Sequence, residues 1–117
     1  MPKPLTIIES PYAGLLARNI AYAKAAVRHS LHLGEAPFAS HLFYAQPGIL
    51  DDGIPDERTL GMEAGWEWMT VADKVAVYTD LGISPGMQAG IERAKLLGLP
   101  VEMRSISHLF PICINGG

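Results

Sequence analysis

The chain is poor in the residues that most directly announce a function. It has one cysteine, Cys113, in 117 residues, so it can form no internal disulfide and no multi-thiolate metal site. The four histidines, His29, His32, His41 and His108, are scattered and do not fall at zinc-site spacing. His29 and His32 can share one helix face, where they read as exposed residues. A basic surplus is also missing. Nine Lys and Arg against twelve Asp and Glu leave a net charge of −3, which argues against duplex DNA or RNA as a partner. Long apolar runs are absent: the opening MPKPLTIIES holds an apolar stretch of about four residues, too short for a secretory signal or a membrane span. The expectation is a cytoplasmic protein with no membrane partner, no metal and no cofactor.

What is present points to a folded core. Apolar residues make up 49% of the chain and charged residues 18%, which excludes wholesale disorder, and the length suits one domain over residues 1–117. Four strand-like runs alternate with three helix-like runs. LTIIES (5–10) reads as a short buried strand ending at SPYAG. A helix follows over 14–33, with Leu16, Ile20, Ala23, Val27 and Leu31 on the buried face and Arg18, Lys24, Arg28 and His32 on the wet side. APFASHLFYA (36–45) reads as the second strand, and QPGILDDGIPDE (46–57) as an irregular loop. A helix over 55–72, the strand KVAVYTDL (74–81), a helix opening at ISPGM (83–87) and the strand PVEMRSI (100–106) complete the order. The tail, residues 105–117, has no period and reads as an arm on its own core or on a neighbour.

This alternation predicts a single α/β, Rossmann-like domain: a mainly parallel sheet of about four strands with flanking helices. Ligands in such sheets bind beyond the carboxyl ends of the strands. Three segments should meet there: Glu9–Tyr12, Ser40–His41 and Asp80–Met87. On the helix over 55–72, Leu60, Ala64, Trp68 and Val71 form one apolar face, and Met62, Trp66 and Met69 another, with Gly61 and Gly65 between. One face should cover the sheet. The other is either roofed by the 46–57 loop or buried in a homo-oligomer formed through this helix, which bears Met62, Trp66 and Met69, the latter being the preferred expectation.

SPY after the first strand, ADKVAVYTD, and SPGMQAGIERAKLLGLPVEMR together resemble the nucleoside 2-deoxyribosyltransferase-like superfamily, and within it short bacteriophage and prophage proteins. The resemblance covers residues 5–104. It implies a pocket for a nucleoside or nucleotide. In the enzymes, a Glu on the helix after the third strand attacks C1′ of the sugar and an acidic partner protonates the departing base. That Glu usually stands four residues after the loop glycine. From Gly86 the count lands on Gly90, so the expected nucleophile is missing, and the nearby Glu92 falls on the wet side of its helix.

Other residues are weighed on their own chemistry. Ser84 suits a helix N-cap, Pro85 the first helical position, and Gly86 with Met87 would point free N–H groups at an anion. The segment is not a P-loop, for it lacks the Lys and the second Gly. Glu9 and Asp80, each closing a strand, are candidate hydrogen-bond acceptors for ribose hydroxyls or displaced catalytic acids; the plainer reading is a carboxylate bound to loop N–H groups. Ser10, Pro11 and Tyr12 form a turn that can contact ligand or merely pack. His41 is a ligand contact, a proton donor or a satisfied strand histidine. Asp51, Asp52, Asp56 and Glu57 are a solvated acidic loop or a lid, and Asp73 caps the opposite end of the sheet. Three functions remain open: a binder of a nucleotide-derived small molecule, used for example by a phage to sequester a host signal; an N-glycosidic-bond hydrolase or deoxyribosyltransferase with a relocated carboxylate; and a non-catalytic assembly module.

Overall fold

A computed structural model of the chain describes residues 2–14 and 16–109. Its elements are β1 (Leu5–Glu9), α1 (Leu16–His32), β2 (Ala36–Phe38), α2 (Ser40–Tyr44), α3 (Pro55–Met69), β3 (Lys74–Tyr78), α4 (Pro85–Leu96) and β4 (Val101–Arg104). The strands form one all-parallel sheet in the order β2-β1-β3-β4, with Ile7 opposite Phe38 on one side and Val75 on the other. No described helix is long and apolar enough to cross a membrane. Of the arm expected over 105–117, Ser105–Ser107 lie against the chain's own core, with Ile106 buried, and 110–117 lie outside the described residues.

Side-chain alternation divides the sheet between two cores. Ile8, Ala76 and Tyr78 face α1, where they meet Tyr22, Ala25 and Ala26. Ile7, Val75 and Val77 face α3 and α4, where they meet Met69, Met87, Ile91 and Ala94. Glu9 has the parity of Ile7 and therefore points to the α4 side. Because α1 leaves β1 on one face and α4 leaves β3 on the other, a crevice opens between the carboxyl ends of these two neighbouring strands.

Three expectations are corrected. The second strand stops at Phe38; Ser40–Tyr44 turns into α2, so His41 is a helical residue. In α1, Leu16 and Leu31 are exposed and the buried stripe runs through Asn19, Tyr22, Ala23, Ala26 and Ser30. Small alanines let the helix approach the sheet, while Asn19 and Tyr22 turn inward to hydrogen-bond partners. In α3 the face with Met62, Trp66 and Met69 is the inner one: Met69 is buried and Trp66 packs on the core. The outer face carries Leu60, Trp68 and Val71, each about half exposed or more, so Met62, Trp66 and Met69 are not a free oligomer surface.

Beneath β4 lies a buried ion cluster that no sequence period signalled. Glu35, 4% exposed, binds Lys74 and accepts from Arg104 Nη1 at 2.9 Å and Nη2 at 2.6 Å. Ser30 Oγ donates to Glu35 at 2.6 Å, and Tyr78 Oη joins Arg104 (3.0 Å) to His29 Nδ1 (2.9 Å). His29 is thus half-buried and bonded, contrary to its reading as an exposed helix residue.

Candidate functional site

The crevice at the strand ends is a cavity of about 360 Å³, large enough for a small-molecule ligand. Its inner wall is apolar, made by Ile7, Phe38, Met62, Trp66, Met69 and Met87. Ser10, Tyr12, Ser40 and His41 form one polar side, Ser84, Pro85 and Gly86 the other, and Asp52 and Arg58 stand at the mouth. Of the three segments expected at this rim, Glu9, Ser10 and Tyr12 of the first, Ser40 and His41 of the second, and Ser84–Met87 of the third line it. A Cβ on Gly65 would come 2.8 Å from Ser40 Oγ, so glycine here lets α2 and α3 close the cavity's back.

Glu9 is the chemically singular group. It closes β1, lines the cavity, and makes no hydrogen bond or ion pair among the described residues. Burial raises its carboxyl from an ordinary 4.5 to about 8. Its placement explains Gly90. A Cβ built on Gly90 would overlap the Glu9 carboxylate and lie 2.7 Å from its Cδ. The carboxylate from β1 therefore occupies the room that a side chain at position 90 of α4 would need. Glycine at 90 and glutamate at 9 are complementary choices.

The polar side is held from below. Ser10 Oγ lies 3.1 Å from His41 Nε2, and Tyr12 meets the imidazole edge-on at 5.5 Å. Burial lowers His41 to about 4, so the ring is neutral at neutral pH. Tyr12 Oη donates to the carbonyl of Ala45 at 3.2 Å. Asn19 Nδ2 donates to the carbonyls of Tyr12 (2.9 Å) and Ala13 (2.8 Å), fixing the turn after β1. Pro11 is buried in that turn and does not line the cavity. On the other side Ser84 caps α4, accepting the N–H of Met87 at 3.2 Å, so that N–H is not free for an anion, contrary to expectation; Pro85 has none, and Gly86 keeps the first turn's open donor.

Asp80 does not join them. Its carboxylate accepts from Tyr22 Oη, from Ser105 Oγ, and from the N–H groups of Ile106 (2.8 Å) and Ser107 (3.1 Å). These bonds hold it ionised below the ordinary range despite partial burial, and make it an anchor for the chain leaving β4. Asp73 Oδ2 accepts the N–H of Leu5 at 2.7 Å at the far end of the sheet, as expected. In the acidic loop, Glu57 Oε1 takes the N–H of Asp51 at 2.7 Å, and only Asp52 reaches the cavity. Glu92 is exposed on α4. Among the described residues no group of His, Cys, Asp and Glu is placed to hold a metal. Sequence reading missed Arg58, Asn19 and the wall residues Met62 and Trp66. Arg58 was hidden among the acids beside it, although a cation just inside a helix start after a Gly/Pro loop was there to be noticed.

No curated protein matches the chain by sequence. Among solved structures, the 2-deoxyribosyltransferase of the psychrotolerant bacterium Bacillus psychrosaccharolyticus, a biocatalyst for the synthesis of antiviral and antitumoral nucleosides, superposes with a TM-score of 0.64 at 19% identity, covering 86% of this chain and 72% of that one. That likeness shows a shared fold and does not bear on the bacteriophage part of the resemblance. A model for a domain of unknown function, DUF7768, matches residues 4–104, a span running from the entry of β1 to the end of β4, and the chain belongs to that family.

Proposed function

We propose that the cleft takes a nucleoside-derived small molecule and that Glu9 acts on its N-glycosidic bond. The observation that carries this reading is the unpartnered Glu9 carboxyl standing in the room of a Gly90 side chain, at the floor of an apolar cavity. The family resemblance puts the nucleophile at position 90. A carboxylate reaching the same place from β1 supplies the same chemistry from a different element, and the likeness to a 2-deoxyribosyltransferase fold supports the substrate class.

The step is a displacement. A Glu9 oxygen forms a bond to C1′ as the C1′–N bond breaks, and the electron pair of that bond leaves with the base. Asp52, the other acid lining the cavity, fits the partner that protonates the departing base. Water or an incoming base then gives its proton to the Asp52 carboxylate and attacks C1′ as the C1′–O bond to Glu9 breaks, restoring both carboxyl groups and giving hydrolysis or transfer. Neutral His41 and Ser10 offer hydrogen bonds to sugar hydroxyls. Phe38, Met62 and Trp66 supply apolar surface for the base.

One observation favours retention without cleavage as the second reading: a carboxyl titrating near 8 is mostly protonated at pH 7 and can serve as a hydrogen-bond donor. Glu9→Gln separates the two. Under the first reading it binds but loses turnover at least about a thousandfold, since a positioned nucleophile is gone. Under the second, wild type releases no free base and the amide retains the ligand as wild type does. Chromatography of bases released from a pool of nucleosides and nucleotides decides it.

A further inference from the structure

The cavity does not end at its mouth. An outer groove of about 850 Å³ runs between the turn at Tyr12–Gly14 and the loop at Ala45–Gly53. Tyr12, Ala13, Gly14, Asp52 and Arg58 line both spaces, so the two are continuous. Arg58 marks their junction. Its guanidinium has no ion-pair or hydrogen-bond partner among the described residues, and its neighbour Glu57 is turned to the Asp51 N–H instead. A Cβ on Gly86 would lie 3.7 Å from Arg58 Nη2, so the free cation stands beside the first turn of α4, itself the positive end of a helix. Asp52 lines the same junction but makes no ion pair with Arg58 among the described residues, so the cation and the helix start are left facing one space that an anion can enter.

The outer groove has a different character. Leu16, Pro47 and Ile49 give it apolar surface, while Asp51, Asp52 and Glu57 make it acidic. A chain of further phosphates would be repelled there; an uncharged or cationic ring would be accepted. Building on the reading of the inner cleft as a nucleoside site, we propose that the ligand is a nucleotide of the dinucleotide class. Its nucleoside enters the inner cavity, its phosphate group meets Arg58, and an uncharged or cationic second group lies in the outer groove.

The test is equilibrium binding to the full chain carrying Glu9→Gln, which removes turnover. The probes are, for each of the four common bases, the nucleoside, its 5′-monophosphate and its symmetrical dinucleoside diphosphate, together with NAD. The expected result is at least a tenfold gain from nucleoside to monophosphate, abolished by Arg58→Ala. A further gain of threefold or more from monophosphate to a dinucleotide is abolished by Ile49→Trp, which fills the groove from an exposed position. Nucleosides that bind as tightly as their phosphorylated forms overturn this inference and leave the reading of the cleft standing. So does a dinucleotide no tighter than the monophosphate. If no compound of the series binds, the reading of the cleft falls, and this inference with it.

Discussion

Glu9 is both the group proposed to carry the chemistry and a liability to the fold. Its carboxyl titrates near 8 where an unfolded chain would give about 4.5, so the folded state holds a proton that the unfolded state has lost throughout that interval. Stability contributed by this group is therefore greatest below about pH 4.5 and declines as pH rises towards 8. Replacing it with an amide removes the decline. Glu9→Gln should raise stability at pH 8 by ~1–2 kcal/mol, the usual size of a gain from relieving a functional group, with the difference vanishing near pH 4.5. Thermal unfolding of both proteins across this range checks it. Activity should run the opposite way. As a nucleophile Glu9 must be ionised, and His41, neutral above about pH 4, adds no titration near neutrality. The account expects kcat/KM to rise with pH and level off above about 8; a fall through that region would assign Glu9 the role of proton donor. Gly90→Ala should lower activity sharply in steady-state assays, because the new methyl overlaps the carboxylate. Returning the acid to α4 in Glu9→Gly/Gly90→Glu should restore part of what Glu9→Gly loses.

Among the elements, the turn from α1 into β2 is fixed by charge. Glu35 faces Lys74 and Arg104 in a buried cluster, and these bonds hold its carboxyl at about 2, below the ordinary 4.5. A depressed carboxyl contributes fully above pH 4.5 and loses its contribution as pH falls towards 2, so acid unfolding in that window should be less steep in Glu35→Gln. Glu35→Ala, which leaves the buried Arg104 with only the half-exposed Glu102 as an anionic partner, should destabilise by ~3 kcal/mol in denaturant titration. Sequence patterning could not find this cluster, since Glu35 and Arg104 are 69 residues apart and neither breaks a local period. Elements whose signal is local were legible: β1, β3 and β4 from their apolar runs, and α4 from the Ser84 cap. The second strand was overextended because FASHLFYA satisfies a strand alternation equally well as a short helix. The face of α1 was misassigned because leucines were counted as core, whereas close packing on the sheet chose alanines; in α3 two apolar faces left the choice open, and the sheet took the one with Trp66 and Met69.

At the scale of the whole molecule, the strand order β2-β1-β3-β4 places the end of β1 beside α4, and this juxtaposition lets a β1 side chain fill the room of one at position 90. Parallel topology made the location of the rim readable from sequence. Which rim residues face the cavity was not readable, because one step along a strand or turn moves a side chain to the other face. Glu9 points to the α4 side, whereas Asp80, closing the neighbouring strand, points to α1 and is consumed in holding residues 105–107. The role proposed for the Glu9 carboxylate is the one that the family resemblance assigns to position 90. Its most direct test is to incubate wild type and Glu9→Gln with a mixed pool of nucleosides and nucleotides, quench in acid, and follow free bases in solution and the mass of the Glu9-containing peptide. The account predicts free base and a sugar-sized addition on that peptide for wild type, with neither for Glu9→Gln. Equal release of base by both proteins, or none by wild type, would contradict it.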